Sequence, residues 1–235
     1  MNHYDIKTPL QALHEHNETH KSQAIVASLL SGQNMALISD AGTPLISDPG
    51  YVLVREAKQA GVTVSPIPGP SAMISAMSTA GIASDRFGFF GFLPNKKSAR
   101  IKVIQAIAHI EQTAIFYESP KRILACAQDL QTVLGDTRIV CFAKELTKSF
   151  ETIKTDTLPA LIDYLQEDAT HQKGEFVILI SAIDKDNKVA GEEQLDKVLP
   201  ILLTEMGASK AAKLAAKITG IDKKHCYKIA VDMQA

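Results

Sequence analysis

Residues 39–50 read SDAGTPLISDPG, and what this segment is allowed to be decides the fold. Two glycines, two prolines and two aspartates share these positions. Neither a helix nor a central strand fits, because proline lacks the N–H donor and glycine loosens the backbone. The apolar run MALI (35–38) precedes the segment and the helix-spaced YVLVREAKQA (51–60) follows it. The same order then recurs. VTVSP (62–66) is β-branched and strand-like, PIPGP (66–70) breaks it, and SAMISAMSTAG (71–81) reads as a helix opening at Ser71. Upstream, KSQAIVASLLS (21–31) has apolar residues at helical spacing and stops at Gly32, a C-cap residue. Strand, loop and helix in alternation predict an α/β unit around a mostly parallel sheet.

After FGFFGFLP (87–94) the pattern repeats. It predicts a helix over 96–110, a strand TAIFYE (113–118), a helix over 120–134 and a strand RIVCFA (138–143). A helix near 157–167 and a strand EFVILIS (175–181) complete this block. The charge shift and turn formers of GFLPNKKS place a boundary near Pro94, and the polar AIDKDNKVAGEE (182–193) reads as a linker. Beyond it the sequence is helical throughout. The expected organisation is an incomplete α/β lobe over 1–93, a second α/β lobe over 94–182 and a small all-helical domain over 193–235.

Composition narrows the function classes. The chain has 235 residues, of which 46% are hydrophobic, enough for a real core. No apolar run approaches the ~20 residues that span a bilayer. The first twenty residues hold no apolar signal core, which points to a cytoplasmic protein without a membrane partner. Cys126, Cys141 and Cys226 are odd in number and widely spaced, the pattern of reduced thiols. The formal net charge of −1 means that any polyanion must be held by a local basic patch. Lys96, Lys97, Arg100 and Lys102 form one cluster; Lys210, Lys213, Lys217, Lys223, Lys224 and Lys228 line the C-terminal helices. Solvated lysines on amphipathic helices look the same without RNA. HEH (14–16) offers two histidines with no third ligand nearby, so polar surface or a substrate contact is preferred to a metal site.

In an α/β sheet, loops beyond the carboxyl ends of strands hold ligands. The segments 40–50 and 66–71 both follow expected strands, and neither is a G-x-G-x-x-G or G-x-x-x-x-G-K-[ST] phosphate cradle. Loops of glycine and proline without basic residues suit a flat, partly apolar ligand held by backbone groups. Ser71, at a helix start, adds a hydroxyl and free N–H groups for a carboxylate. A purine nucleoside with an amino-acid tail fits that description. Two ordinary turns and an N-cap serine are the plainer alternative.

SDAGTPLISDPG, PIPGPSA, FGFFGFLP, FYESPKRI, KELTKSFE and KGEFVILI occur in an order that resembles the ribosomal RNA ribose methyltransferases of the tetrapyrrole methylase superfamily. The resemblance implies two α/β lobes with S-adenosylmethionine in the cleft between them, a helical C-terminal domain, and a homodimer. It implies 2′-O-methylation of a cytidine in small-subunit (16S) rRNA, with the 30S particle as the partner. Carried across, the cofactor contacts are Ala41, Gly42, Thr43, Pro44 and Ile46 in the first loop. Pro68, Gly69, Ser71 and Ala72 follow in the second; Tyr117, Gly174, Glu175 and Phe176 close the adenosyl side. Methyl transfer to a hydroxyl needs alignment and a proton acceptor but no metal. Glu118, Lys144 and Glu145 are the catalytic candidates. Arg122, Lys148, Lys96, Lys97, Lys213 and Lys217 are the candidates for gripping RNA. Helix-terminal ion pairs, Glu118–Arg122 and Glu145–Lys148, are the competing reading of four of these residues.

The resemblance further implies an opening strand, a Gly- and Asn-bearing loop, a helix and a second strand ahead of NHYDIKTP. A chain starting at Met1 is expected to lack a central strand of the first lobe and to expose an edge. Two other functions stay in view: a methylase of a small tetrapyrrole, and an inactive fragment that only dimerises or binds RNA.

Overall fold

The computed structural model describes residues 2–183 and 185–233. It divides into two compact units, Met1–Ser75 and Ala76–Ala235.

In the first unit α1 (Glu18–Leu30) packs on α2 (Tyr51–Gln59). Ile25 and Val26 of α1 meet Leu53 and Ala57 of α2, with Leu13, Leu29 and Val62 around them. Leu53 and Ala57, like Ile25 and Leu29, are i, i+4 positions that share a helix face. The expected strands at 35–39 and 62–66 do not form: no strand is present among described residues 2–86. Both segments are extended in sequence character, but a strand exists only when a neighbour takes its N–H and C=O groups. Met35 and Ile38 in one, and Val64 and Ile67 beside the other, are exposed. The third helix, α3 (Ala72–Thr79), spans the division.

The second unit is built on one five-stranded sheet of β1 (Phe87–Phe92), β2 (Thr113–Glu118), β3 (Ile139–Lys144), β4 (Thr152–Thr157) and β5 (Phe176–Ile180). The order is β1-β2-β5-β3-β4. Only β1 and β2 run parallel; β5 lies antiparallel between β2 and β3, and β4 is antiparallel to β3. The mostly parallel sheet expected from the alternation is therefore corrected to a mixed one. The polar TIKTDT gives no strand signal, yet it pairs as edge strand β4, where half-exposed positions tolerate polar residues.

Helices α4 (Lys97–Ile107), α5 (Ile123–Leu134) and α6 (Leu158–Glu167) belong to the same core as one face of the sheet. Phe116, Val140, Phe142, Phe176, Ile178 and Ile180 point into that core with Leu130, Leu161 and Leu165. Ile115, Cys141, Ala143 and Leu179, which alternate with them, are also fully buried. Burial on both faces explains why TAIFY and FVILI are continuous apolar runs. Each fully buried Val, Leu, Ile or Phe among them stabilises the fold by about 1.5–3 kcal/mol.

At the C-terminal end α7 (Lys185–Glu205), α8 (Ala208–Thr219) and α9 (Lys223–Asp232) form a separate small core. The expected linker over 182–193 is corrected: α7 already runs from Lys185. Its Gly191 lies against Ile221 and the Thr219 carbonyl, a contact that composition cannot reveal. Gly220 takes the left-handed conformation that ends α8, and the Asp222 carboxylate accepts the Lys224 and His225 N–H groups to start α9. Ala211, Ala212 and Ala215, all fully buried, allow α8 and α9 to approach closely.

Candidate functional site

The loop that follows residue 39 is a run of turns and bends held by short-range bonds. Ser39 Oγ donates to the Ala41 carbonyl at 2.7 Å, and the Ile46 N–H reaches the Thr43 carbonyl at 3.3 Å. The Thr43 hydroxyl donates to the Pro70 carbonyl at 2.9 Å, which ties this loop to the second one, residues 66–71. Gly42 takes φ +77°, while Leu45 and Ser47 take +72° and +57°. Non-glycine residues in that region carry strain, and such strain gathers at ligand-binding segments. Ala41, Gly42, Thr43, Ile46, Pro68 and Gly69 are exposed, Pro44, Ser71 and Ala72 half-buried. A Cβ at Gly42 would touch nothing within 4 Å, so the loop is open there. The first unit thus brings Thr43 against the segment that holds Pro68, Gly69, Ser71 and Ala72.

In the second unit the sheet register aligns three candidates. Glu118 at the end of β2 lies opposite Phe176 of β5, and Phe176 lies opposite Lys144 of β3. Residues opposite each other share a face, and this row turns towards the buried core: all three are below a tenth exposed. Glu118 Oε1 receives the Arg122 guanidinium at 2.5 Å and the Ser119 N–H at 2.7 Å. Its Oε2 is out of water and has no hydrogen-bond partner among the described residues. Lys144 Nζ donates to the Thr170 carbonyl at 3.0 Å. Tyr117, on the opposite side of β2, meets Phe89 and Phe92 edge to face.

Glu145 stands at the turn beyond β3. Its Oε1 accepts from Lys148 Nζ and from the Glu175 N–H, each at 2.9 Å. Lys148 also reaches Glu175 Oε2 at 3.0 Å, and the Glu145 N–H donates to the Glu175 carbonyl at 3.0 Å. The Lys148 hydrogen bond, followed by the Glu175 N–H, lowers the Glu145 carboxyl below the ordinary carboxylate range. Two interlocked turns, 145–151 and 173–175, therefore hold the start of β5.

The basic candidates separate. Arg122 is bound inward, to Glu118, Ser119, the Leu93 carbonyl and Asn95. Lys148 bridges two carboxylates. Lys96 and Lys97 are exposed beside α4, with Lys97 3.4 Å from Asp129. Lys213 and Lys217 lie on the solvent face of α8, opposite its buried alanines. Arg100, grouped by sequence with Lys96 and Lys97, is buried and paired with Asp129 at 2.6 Å. A surface role for it is corrected by that burial.

HEH and its neighbours prove to be a structural turn. The His14 N–H donates to Asn17 Oδ1 at 2.9 Å, while Asn17 Nδ2 and Lys21 Nζ donate to the Ala12 carbonyl. Glu18, not singled out from the sequence, is buried and caps α2, across more than thirty residues that no local pattern links. Among the described residues there is no group of three or more His, Cys, Asp or Glu side chains suited to a metal ion. None of their helices is long and apolar enough to cross a membrane.

All three cysteines are buried and free. Burial, helped by the Glu118 charge, raises the Cys126 thiol well above its ordinary value; burial also raises Cys141 and Cys226. A buried, protonated thiol is a poor nucleophile. Iodoacetamide at pH 8 is expected to label none of the three in the folded protein within minutes and all three in denaturant. Rapid native labelling of Cys126, read by mass spectrometry, would contradict this packing.

Residues 2–162 match the family described as Tetrapyrrole (Corrin/Porphyrin) Methylases. The chain belongs to this family. Residues 189–234 match the RsmI C-terminal HTH domain. The chain is 49% identical over 230 residues to the "Ribosomal RNA small subunit methyltransferase I" of Vibrio cholerae, covering 96% of this chain and 78% of that one. It is 47% identical to the protein of that name from Xylella fastidiosa strain Temecula1, covering 96% and 82%. The Escherichia coli O157:H7 protein of the same name is 44% identical, with 100% and 82% covered. Among solved structures, diphthine synthase aligns with TM-score 0.55 at 16% identity, covering 72% of this chain and 68% of that one. The methyltransferase CobJ aligns with TM-score 0.53 at 19% identity, covering 71% and 72%. These two likenesses concern the fold alone.

Proposed function

We propose that this tetrapyrrole methylase family member transfers the methyl group of S-adenosylmethionine to the 2′-hydroxyl of a cytidine in small-subunit (16S) ribosomal RNA. The observation that carries the cofactor reading is the pair of loops in the first unit joined by Thr43 and Pro70. They expose backbone, Ala41, Pro68, Ile46 and Ile67 beside the polar Asp40, Thr43 and Ser47, without a lysine or arginine from 39 to 54 or from 59 to 85. That donor set fits a flat, partly apolar nucleoside, and the start of α3 after Ser71 offers N–H groups to its carboxylate. The bound cofactor supplies an electrophilic methyl group on a sulfonium. What remains for the protein is alignment and removal of one hydroxyl proton. Glu145 is the best placed of the three catalytic candidates, because Glu118 and Lys144 turn into the core. Its lowered pKa keeps it ionised, an acceptor that is weaker than a free carboxylate. Lys148 and the Glu175 N–H hold its carboxylate, while Lys96, Lys97, Lys213 and Lys217 contribute phosphate contacts that position the RNA. The name shared by the curated relatives supports the rRNA substrate. The protein acts in the cytoplasm as a homodimer on the 30S particle, a reading that rests on the resemblance.

Titration with S-adenosylmethionine by calorimetry tests the cofactor. One site per chain is expected, with affinity lowered more than tenfold by Thr43→Trp, which removes the Thr43–Pro70 bond and fills the open loop. Labelled methyl transfer to undermodified 30S particles, followed by nucleoside analysis, tests the product. A second reading, a chain that binds RNA or dimerises without methylating, is favoured by the exposed Met35, Ile38, Val64 and Ile67 of the first unit. Failure of the wild-type chain to bind the cofactor would select it.

A further inference from the structure

We infer that Glu18 is a positioning residue for the cofactor loop, an assignment that rests on the S-adenosylmethionine reading above. Glu18 sits in the first turn of α1 and is 7% exposed. Its Oε1 accepts three backbone N–H groups across more than thirty residues of sequence: Gly50 at 3.0 Å, Val52 at 2.7 Å and Leu53 at 3.3 Å. These are the free donors at the start of α2. Gly50, the N-cap residue, has no side chain to satisfy them, so the carboxylate arrives from another helix. An anion at a helix N-terminus is doubly favourable, by hydrogen bonding and by the helix dipole.

The consequence reaches the loop, because α2 begins where the loop ends. Gly50 has φ +128°, and a Cβ there would meet Leu37 at 2.7 Å and Leu45 at 3.0 Å. The backbone is thus pressed against the segment before the loop and against Leu45 within it. Glu18 fixes the downstream end through Gly50, and the Thr43–Pro70 bond fixes the middle. Between these anchors lie the strained Leu45 and Ser47. Strain of that kind persists only where the surroundings over-determine the backbone. Glu18 is itself held, since the Asn17, His14 and Lys21 bonds to the 12–17 turn set the start of α1.

The test compares Glu18→Ala, Glu18→Gln and Ile25→Ala by calorimetric titration of S-adenosylmethionine and by amide hydrogen exchange at Val52 and Leu53. Ile25→Ala weakens the same α1–α2 packing while leaving the cap intact. Glu18→Ala is expected to raise the cofactor Kd at least tenfold and to speed Val52 exchange at least as much. Glu18→Gln, which keeps one acceptor oxygen, should recover most of the affinity. Ile25→Ala should lower the unfolding midpoint with little change in Kd. Equal Kd for Glu18→Ala and wild type, or an Ile25→Ala loss as large as that of Glu18→Ala, overturns the assignment. If the wild-type chain itself shows no binding, the cofactor reading fails, while the exchange comparison still reports whether Glu18 holds the loop end.

Discussion

Replacing Asp129 by alanine is expected to destabilise the second unit by about 3–5 kcal/mol, the cost of leaving one partner of a buried ion pair uncompensated. Asp129 Oδ2 receives Arg100 Nε at 2.7 Å and its terminal nitrogen at 2.6 Å, with both side chains about 5% exposed. Without the carboxylate the guanidinium keeps only the Pro94 and Asn95 carbonyls, at 3.3 and 3.2 Å. It has five donors and cannot shed its proton. The damage would not stop there. The same 93–95 turn is held from the other side by Arg122, which binds the Leu93 carbonyl and Asn95 while it neutralises Glu118. The two arginines clamp the exit of β1 to α4 and α5. Urea unfolding should show the loss with an unchanged m-value. Arg100→Met with Asp129→Leu should restore most of it, since an apolar pair of similar volume removes both charges from the interior. A loss below 1 kcal/mol for Asp129→Ala would mean that water reaches the pair.

That clamp shows where sequence reasoning stops. Lys96, Lys97, Arg100 and Lys102 read as one basic patch because charge is visible in sequence and burial is not. Asp129, which takes Arg100 out of the patch, lies 29 residues away on α5. Lys148 bridges Glu145 and Glu175, so the ion pair with Glu145, the competing reading of the sequence, is present. Local signals fared better. The apolar runs of β2 and β5 and the helical spacing of α1, α2, α5 and α8 were legible, since period and end-capping residues are properties of neighbours in the chain. Strand direction was not: β5 inserts antiparallel between β2 and β3, and nothing in FVILI says so. MALIS and VTVSP failed in the opposite sense. Their strand propensity is real, but a strand is completed by a partner, and their apolar residues remain exposed. For the candidate site, glycine and proline mark the two loops of the first unit in the sequence, while their reading as a cofactor site rests on the resemblance. Glu18, which holds one of them, was passed over because its three bonds cross more than thirty residues.

Gly174→Ala should be the most damaging single-atom-scale change at the candidate site, costing about 2–4 kcal/mol and most of the methyl transfer activity. Gly174 has φ +90°, and a Cβ there would lie 2.7 Å from Glu145 Cδ, 2.8 Å from its Oε1 and closer still to Cγ. The flexible way out is for Glu145 to swing aside. That movement breaks the bonds from Lys148 and from the Glu175 N–H, which together fix the 145–151 turn, itself carrying Glu145 at φ +50° and Thr147 at +65°. Gly220 supplies the control: its φ is +72° and its Cβ position is empty, so Gly220→Ala should cost only about 1–2 kcal/mol and leave activity nearly intact. The difference between the two isolates the collision from the backbone strain. The double variant Gly174→Ala with Glu145→Ala then divides structure from chemistry. Removing the carboxylate removes the collision, so urea unfolding should recover part of the lost stability. Single-turnover methylation should recover nothing if Glu145 accepts the hydroxyl proton. Recovery of both would leave Glu145 as a brace for β5, and the proton would have to leave by another group.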